Sequence, residues 1–223
     1  MTETAPEADR VPGAPHPREA TGLIGHDSAV ADFIAAARAH RLHHGWLITG
    51  PRGTGKATLA WQIAKWLLSD SDSDDLSSDP DSPVVRRIRA LSEPRLQLIR
   101  RPVDEKTNRL RAEITVDEIR RLHGFFHMSA AEGGRRVAII DAADEMNPAA
   151  ANALLKLLEE PYPGSVFLLV SNNPDRVLGT IRSRSQLIEI RSLSTSVIAE
   201  ALQRRYGITE QDAVSVAHVA EGN

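Results

Sequence analysis

The chain has 223 residues, 41% of them hydrophobic, which is enough for one α/β domain and part of a second. Its 27 basic and 30 acidic residues leave a formal net charge of −3, so charge alone neither indicates nor excludes a nucleic-acid partner. The absence of cysteine excludes disulfides, thiolate zinc sites and a thiol nucleophile, and it fits a reducing compartment.

The first 20 residues predict a flexible N-terminal tail, because prolines, small residues and charges follow one another and can bury little surface. The tail lacks the apolar core of a secretory signal, and no later run approaches the ~18 apolar residues of a membrane helix. A cytoplasmic protein that does not contact a membrane is therefore expected. Beyond the tail, apolar residues recur at helical spacing from Asp27 to Leu42, which predicts a helix capped by Asp27 or Ser28.

Residues 21–190 alternate short apolar runs with helical patterns. This alternation is typical of an α/β fold in which a mostly parallel sheet carries helices on both faces. Five strands are predicted, at residues 46–49, 96–99, 137–141, 166–170 and 186–190. The helices that connect them are predicted at residues 57–68, 116–128 and 147–159.

Two segments depart from this alternation. Residues 69–85 form a tract rich in serine and aspartate with almost nothing to bury, which predicts a mobile surface insertion. Residues 191–223 begin a second, helical unit, with helices predicted at 195–206 and 209–220. Two helices are fewer than a complete domain needs, so the chain is expected to be part of a longer protein.

A glycine-rich loop follows the first predicted strand and leads into a helix. Residues 50–57 fit the phosphate-loop pattern G-x-x-x-x-G-K-[ST] at every position except the last. In such a loop, glycines let backbone N–H groups point inward, and the lysine adds a cation at a helix N-terminus. The candidate nucleotide-binding residues of the loop are Gly50, Gly53, Thr54, Gly55 and Lys56.

Alanine occupies two positions that an ATPase uses. Ala57 offers no hydroxyl to Mg²⁺, and Thr58 is turned by about 100° around the helix. A strand ends in Asp141, which would hold the metal through water, but Ala142 stands where a water-activating glutamate is expected. Losing such a base typically costs ~10² to 10⁴ in rate, so little or no intrinsic ATPase activity is predicted. Two interpretations of the loop stay open: it binds ATP or ADP with weakened Mg²⁺, or it is vestigial and kept for packing.

Two clusters, one of arginines and one of histidines, each allow a functional and a structural interpretation. Six arginines could contact DNA phosphates or neutralise the acidic tract before them, namely Arg86, Arg87, Arg89, Arg95, Arg100 and Arg101. Three histidines could suggest a metal site, but no carboxylate is spaced to complete one, so a solvated helix end is predicted for His40, His43 and His44. No metal site is expected.

Three segments together resemble the clamp-loader subunits of the AAA+ family: residues 152–161 (NALLKLLEEP), 167–170 (FLLV) and 180–185 (TIRSRS). The resemblance covers about residues 23–223. It implies an AAA+ P-loop core with a mostly parallel five-stranded sheet, followed by the start of a small helical lid domain. The family also carries a third, oligomerising collar domain, which this chain is expected to lack.

The resemblance also implies roles for two residues outside the loop. Asn172 aligns with the polar position that senses γ-phosphate, although asparagine suits a turn at a strand end equally well. Arg184 aligns with the arginine of the family's Ser-Arg-Cys segment, which reaches across a subunit interface into a neighbour's ATP site, and Ser185 replaces the cysteine. The alternative for Arg184 is an ordinary surface arginine in a basic loop.

With its degraded nucleotide motifs, the chain resembles a structural rather than a catalytic member of the DNA polymerase III clamp loader. The implied partners are the gamma/tau ATPase subunits and the delta subunit, with the sliding clamp and primed DNA reached through the assembled loader. No zinc is expected, since the four-cysteine module of many relatives is missing. Two rival functions remain, an active ATPase of the gamma/tau type and a DNA-binding adaptor outside replication.

Overall fold

The structure is a computed structural model that describes residues 6–11, 14–39, 41–127 and 134–220. Several predictions fall partly outside the described residues: they concern residues 1–5 and 12–13 of the predicted tail, His40, the helix end at Met128, and residues 221–223. No helix in the described ranges is long and apolar enough to cross a membrane.

The strands form one parallel sheet and one small hairpin. In chain order they are β1 (Gly45–Thr49), β2 (Leu96–Ile99), β3 (Val103–Asp104), β4 (Arg109–Leu110), β5 (Arg136–Asp141), β6 (Ser165–Ser171) and β7 (Gln186–Glu189). The main sheet has five strands in the order β2-β5-β6-β1-β7, and all neighbours are parallel. Strands β3 and β4 pair antiparallel. The predicted five-stranded sheet is confirmed, and the hairpin was not predicted.

Helices cover both faces of the main sheet, as the sequence predicts. In chain order they are α1 (Asp27–Arg38), α2 (Lys56–Leu68), α3 (Pro83–Arg89), α4 (Val116–His127), α5 (Pro148–Glu159), α6 (Gly179–Arg182), α7 (Thr195–Tyr206) and α8 (Glu210–Ala220). Alternate residues of β1 point to opposite faces, so Ile48 packs with α1 and α2, and Leu47 packs with α4 and α5. The two hydrophobic cores thus lie on either side of one sheet.

Two helix ends differ in detail from the sequence interpretation. Helix α1 ends at Arg38 rather than Leu42, and its N-cap is His26, which makes no capping side-chain hydrogen bond. The predicted caps were therefore wrong. Helix α5 begins as expected, because the Asn147 side chain accepts a hydrogen bond of 2.9 Å from the Ala150 N–H.

The last two helices form the helical unit that was predicted after the sheet. They pack together through a small cluster of buried residues, Ile198, Ala199, Ala213 and Ala217. Helix α7 is capped at its start by Ser194, whose hydroxyl accepts from the Val197 N–H, and at its end by Gly207, which has a left-handed φ of 64°.

The N-terminal residues differ from the predicted flexible tail in the part that the structure describes. His16 is buried, and its ring meets the Trp61 ring edge-on with 6.1 Å between centroids. The carbonyl of Ala20 accepts hydrogen bonds from Lys65 and, at 2.7 Å, from Gln62, both on α2. Residues 14–20 therefore lie against α2. The His16 ring and the hydrogen bonds to the Ala20 carbonyl hold them there, although their sequence has no apolar pattern.

The serine- and aspartate-rich tract is likewise attached at several points. Leu76 is only 1% exposed and belongs to the core on the α1 and α2 side of the sheet. The Trp66 indole N–H donates to the Ser73 carbonyl at 3.0 Å, and Arg38 pairs with Asp74. The tract was predicted as a mobile insertion because it contains so few apolar residues, but one buried leucine and two polar contacts hold it against the core.

We expect Leu76→Ala to lower the free energy of unfolding by about 2–4 kcal/mol, because it leaves a cavity in this core. Leu91→Ala is a matched control, since Leu91 has nearly the same left-handed φ (54° against 56°) but is 43% exposed. Urea unfolding of both variants measures the difference. Equal losses would mean that the tract does not reach the core.

Candidate functional site

The phosphate loop connects β1 to α2 at the carboxyl edge of the sheet. Gly53 and Gly55 have φ angles of 89° and 94°, which residues with a Cβ rarely adopt. Thr54 is buried, and its hydroxyl donates to the Pro51 carbonyl at 2.9 Å. The Lys56 ammonium donates to the same carbonyl. The polar side chains of the loop therefore satisfy one another within the loop.

Buried charge surrounds the loop lysine. Burial lowers the pKa of Lys56, and the nearby charges of Asp141 and Asp144 oppose this decrease. Asp141 is the last residue of β5, and Asp144 lies in the 3₁₀ turn that follows. The carboxylates and the lysine thus lie at the same edge of the sheet, where the parallel strands β1 and β5 end on either side of β6.

Predicted site residues from three segments line one cleft of about 340 Å³. Its walls include five of them, namely Gly53, Gly55, Lys56, Asp141 and Asn172. Ala57 and Ala142 also line the cleft, so the two alanines face the space in which an ATPase holds its metal and its water. Thr58 lines it too, although the helical rotation predicted that it would turn away. Gly50 and Thr54 lie in the loop but are not part of the cleft walls.

The polar residues after β5 and β6 hold one another. The Asn172 N–H donates to the Asp144 carboxylate at 3.0 Å, and Asp144 is buried. Glu145 pairs with Arg101 at 2.9 Å. Asp144 therefore fixes the backbone of the predicted sensor residue. The Asn172 side chain is exposed and lines the cleft.

Asp141 is a poor match for its metal-binding role. Burial, followed by the nearby charges of Asp9 and Glu145, raises the pKa of Asp141 to about 7, while Lys56 opposes the rise. A metal ligand must be deprotonated, so this carboxyl competes with protons for a metal at neutral pH. With Ala57 in place of a hydroxyl, the residues present do not fit a bound Mg²⁺-ATP.

A part of the chain that sequence reasoning had placed in the tail closes the cleft. Residues 8–11, 14, 15 and 17 line it opposite the phosphate loop. The Asp9 side chain is fully buried there, and Arg100 at the end of β2 pairs with it. The sequence gives no periodic signal for this arrangement, because Asp9 and Arg100 are 91 positions apart.

Arg184 lies at the other edge of the sheet. It follows α6, and its backbone carbonyl packs against Gly45, the first residue of β1, where a Cβ would lie 3.1 Å away. The phosphate loop follows the last residue of β1, and a strand of this length spans about 13 Å. Arg184 is therefore remote from the phosphate loop of its own chain and does not line the cleft.

Contacts with Glu159, Thr180 and Ser183 hold the Arg184 guanidinium at the surface. It pairs with Glu159 at the end of α5 at 3.0 Å and donates to the Thr180 carbonyl at 3.2 Å. The side chains of Arg184 and Glu159 are 39% and 43% exposed, so both are accessible to a partner. The other arginine of this segment, Arg182, instead contacts Asp175 at 3.4 Å.

All six arginines of the predicted basic cluster pair with carboxylates. Their partners are Asp81 for Arg86, Glu93 for Arg87 and Arg95, Glu19 for Arg89, Glu7 and Asp9 for Arg100, and Glu145 for Arg101. Only Asp81 belongs to the acidic tract that was expected to neutralise them. The pairing gives no support to a DNA-contacting surface, since each cation already has an acidic neighbour.

The histidines near β1 bond to backbone. His43 and His44 stack with 4.3 Å between ring centroids, and the His44 Nε2 lies 2.9 Å from the Leu158 carbonyl oxygen. Burial and the neighbouring His43 lower the pKa of His44. Within the described ranges, no group of three or more histidine and carboxylate side chains is placed to hold a metal ion.

The strand order, the loop between β1 and α2 and the cleft at the carboxyl edge define a nucleotide-binding-like domain with the AAA+ fold. The model of a family described as "DNA polymerase III, delta subunit" matches residues 25–194. The chain belongs to this family.

The relatives agree with this assignment. The chain is 38% identical over 141 residues to the DNA polymerase III subunit delta' of Pseudomonas aeruginosa, which covers 63% of the chain and 41% of that protein. It is 31% identical to the subunit delta' of Bacillus subtilis, covering 73% and 46% of the two chains. To the subunit gamma/tau of Mycobacterium tuberculosis it is 28% identical, covering 87% and 32%. The chain thus spans less than half the length of these relatives. The resemblance to the clamp-loader subunits of DNA polymerase III is confirmed, and the family is that of the delta prime subunit.

Solved structures share the fold. A DNA polymerase III gamma subunit-related protein from Thermotoga maritima has a TM-score of 0.53 at 18% identity, covering 86% of this chain and 58% of that one. The RuvB Holliday junction branch migration motor of the same organism has a TM-score of 0.56 at 18% identity, covering 91% and 60%. At this identity the similarity concerns the AAA+ fold alone.

Proposed function

We propose that the protein is a non-catalytic or weakly catalytic clamp-loader subunit of the delta prime type. It holds the gamma/tau ATPase subunits and the delta subunit in register within the cytoplasmic DNA polymerase III holoenzyme, and it supplies Arg184 in trans. The assembled loader then places the sliding clamp on primed DNA. The observation that carries the proposal is the position of Arg184 at the sheet edge opposite its own phosphate loop.

The cleft supports the non-catalytic part of the proposal. Phosphoryl transfer depends almost entirely on positioning and charge stabilisation, so a missing metal ligand and a missing base remove most of what such a site offers. Ala57 and Ala142 both line the cleft, and burial raises the pKa of Asp141 to about 7. ATP hydrolysis is accordingly assigned to neighbouring subunits.

The surroundings of Arg184 support its action on a neighbour. A guanidinium has five N–H donors, and the contacts with Glu159, Thr180 and Ser183 leave the others free for a phosphate. An exposed ion pair contributes only about 0–1 kcal/mol, so a triphosphate can displace Glu159 at little cost. The pair meanwhile keeps a long side chain oriented, which limits the rotamer entropy lost on docking.

The test is the DNA- and clamp-stimulated ATPase rate of a loader reconstituted with the full-length protein. We expect Arg184→Ala to lower this rate at least ~10-fold while the loader still assembles, because an arginine finger in trans is worth ~10³ to 10⁵ in related systems. Arg182→Ala removes the same charge from the same segment and serves as the matched control. An unchanged rate, or equal losses in both variants, contradicts a finger role.

A separate measurement tests the rival function, that of an active ATPase. An active subunit of the gamma/tau type would bind Mg²⁺-ATP at one site per chain and turn it over when purified alone. We expect no such turnover, because both alanines would need to be replaced to restore the metal hydroxyl and the base.

A further inference from the structure

The cleft beside the phosphate loop is closed by what we call the N-terminal segment, namely described residues 7–11 and 14–20. The segment is held at two places. Near its end, Ala20 is bound by Gln62 and Lys65, and the Arg89 side chain donates to the Glu19 carbonyl at 3.3 Å. Near its start, the acidic side chains of Glu7 and Asp9 form ion pairs with Arg100.

The acidic contacts centre on Arg100, the first residue after β2. Its guanidinium donates to Glu7 at 3.1 Å and also to Asp9. Arg18 of the segment itself donates to Glu7 at 2.9 Å, so this carboxylate joins two arginines. The Glu7 side chain is 15% exposed and the Asp9 side chain is fully buried, so these pairs are better shielded from water than ordinary surface pairs.

His16 completes the surroundings of Asp9. Its Nδ1 accepts a hydrogen bond of 3.1 Å from the Arg18 N–H, which leaves the ring proton on Nε2. That nitrogen lies 3.0 Å from the Asp9 carboxylate. Although burial opposes ionisation, the His16 contact and the Arg100 charge hold the pKa of Asp9 below its ordinary value. Asp9 is thus a stabilised, buried anion.

From this arrangement we propose that the phosphate-loop cleft takes an acidic peptide, the protein's own N-terminal segment, in place of nucleotide. Nucleotide gains access only when the segment is displaced. The proposal goes beyond the clamp-loader role and does not depend on it. It gives the segment a role over the retained loop, in a chain whose residues do not fit Mg²⁺-ATP.

The charges at the cleft bear on whether nucleotide can bind while the segment is docked. Asp9, Asp141 and Glu145 all line the same space. A triphosphate would add several negative charges beside these carboxylates. Of the nearby arginines, Arg100 and Arg101 are already paired with acids, whereas Arg52 of the loop also lines the cleft and can offset part of this charge. While the segment stays docked, its carboxylates therefore oppose the binding of a second anion.

The segment can be loosened without removing any bulk. In the variant Glu7→Gln/Asp9→Asn the ion pairs with Arg100 and Arg18 are lost, while the size of both side chains is kept. Glu105→Gln/Glu113→Gln is the matched control, because it removes two negative charges from exposed residues away from the cleft. Circular dichroism checks that both variants fold.

The experiment measures binding of a fluorescent, non-hydrolysable ATP analogue to the purified protein by anisotropy, with and without Mg²⁺. We expect the Glu7→Gln/Asp9→Asn variant to bind at least ~10-fold more tightly than the wild type, and the control variant to match the wild type. No gain in affinity, including the absence of binding by all three proteins, overturns the proposal. A gain in the control as well would assign the effect to net charge and overturn it too.

A second measurement follows the segment itself. The chain has no cysteine, so Ala57→Cys places a single thiol in the cleft. We expect this thiol to be alkylated at least ~10-fold faster in the Glu7→Gln/Asp9→Asn background than in the Glu105→Gln/Glu113→Gln background. Equal rates would mean that the acidic contacts do not keep the cleft closed. Both measurements use the protein alone, so they can fail while the role of Arg184 in the loader stands, and the reverse also holds.

Discussion

Gly50→Ala is expected to lower the free energy of unfolding by about 3–5 kcal/mol, because the backbone leaves no room for a side chain. A Cβ at Gly50 would lie 2.0 Å from the Ile190 carbonyl oxygen, and the φ of 147° is itself strained for any residue other than glycine. The Ile190 backbone cannot move away easily, since its N–H donates to the Thr49 carbonyl at 2.7 Å. Chemical denaturation of the variant measures the loss.

Alanine variants of two other glycines give reference values for this loss of stability. Gly55→Ala is expected to cost about 1–3 kcal/mol, because its φ of 94° is unfavourable but its nearest neighbour is the flexible Leu23 side chain at 3.2 Å. Gly179→Ala is expected to change stability by less than about 0.5 kcal/mol, since nothing lies within 4 Å of the added atom. A Gly50 variant as stable as the Gly179 variant would contradict the packing requirement.

This requirement bears on why the phosphate loop is still present. At Gly50 the glycine is needed for the contact between the end of β1 and the chain after β7, whether or not a phosphate is bound. A loop glycine at this position is therefore no evidence for nucleotide. The interpretation of the loop as kept for packing gains a specific cause, and it is compatible with the N-terminal segment as the ligand of the cleft.

The elements that the sequence predicted well are those with a regular apolar pattern. The strands β1, β5 and β6 are continuous buried runs, and the five strands and the large helices between them could be placed to within a few residues. Because parallel strands end at one edge of the sheet, the loop, Asp141 and Asn172 line one cleft.

Elements with too few buried residues for any periodicity were missed. Helix α3 has seven residues and buries Val85 and Ile88, and the hairpin of β3 and β4 pairs two residues on each strand. Leu76 is a single apolar residue in a polar tract, with a left-handed backbone. A pattern search has no repeat to find in such segments, although one buried side chain is enough to attach them.

The N-terminal segment was missed for a different physical reason. Its attachment depends on ion pairs between residues far apart in the chain, such as Glu7 with Arg100, 93 positions apart. Composition rules treat prolines and charges as signs of disorder because such residues bury little apolar surface. These rules do not account for a buried carboxylate that forms an ion pair with an arginine. Such a pair becomes possible only when the folded sheet brings the two residues together.

The last prediction concerns pH and Asp141. Its folded pKa is about 7, above its ordinary value of 3.8, so at pH 5 to 6 the folded protein keeps a proton that the unfolded chain has released. Stability should therefore fall as the pH rises from about 4 to about 7, with a slope that approaches ~1.4 kcal/mol per pH unit. The summed effect of this group is roughly 2–4 kcal/mol, and it should be absent from Asp141→Asn.

Urea unfolding of both proteins between pH 4.5 and 8 (about the range that the two pKa values define) isolates the effect as a difference, which cancels the contribution of the other groups. Asp117→Asn, at an exposed position of α4, should follow the wild type. Asp9→Asn removes the strongest of the neighbouring carboxylates, so it should lower the pKa of Asp141 and flatten the curve at neutral pH. Parallel curves for the wild type and Asp141→Asn would mean that Asp141 is ionised throughout. It would then remain available to a metal, and the cleft would lose one of its two reasons for not holding Mg²⁺-ATP.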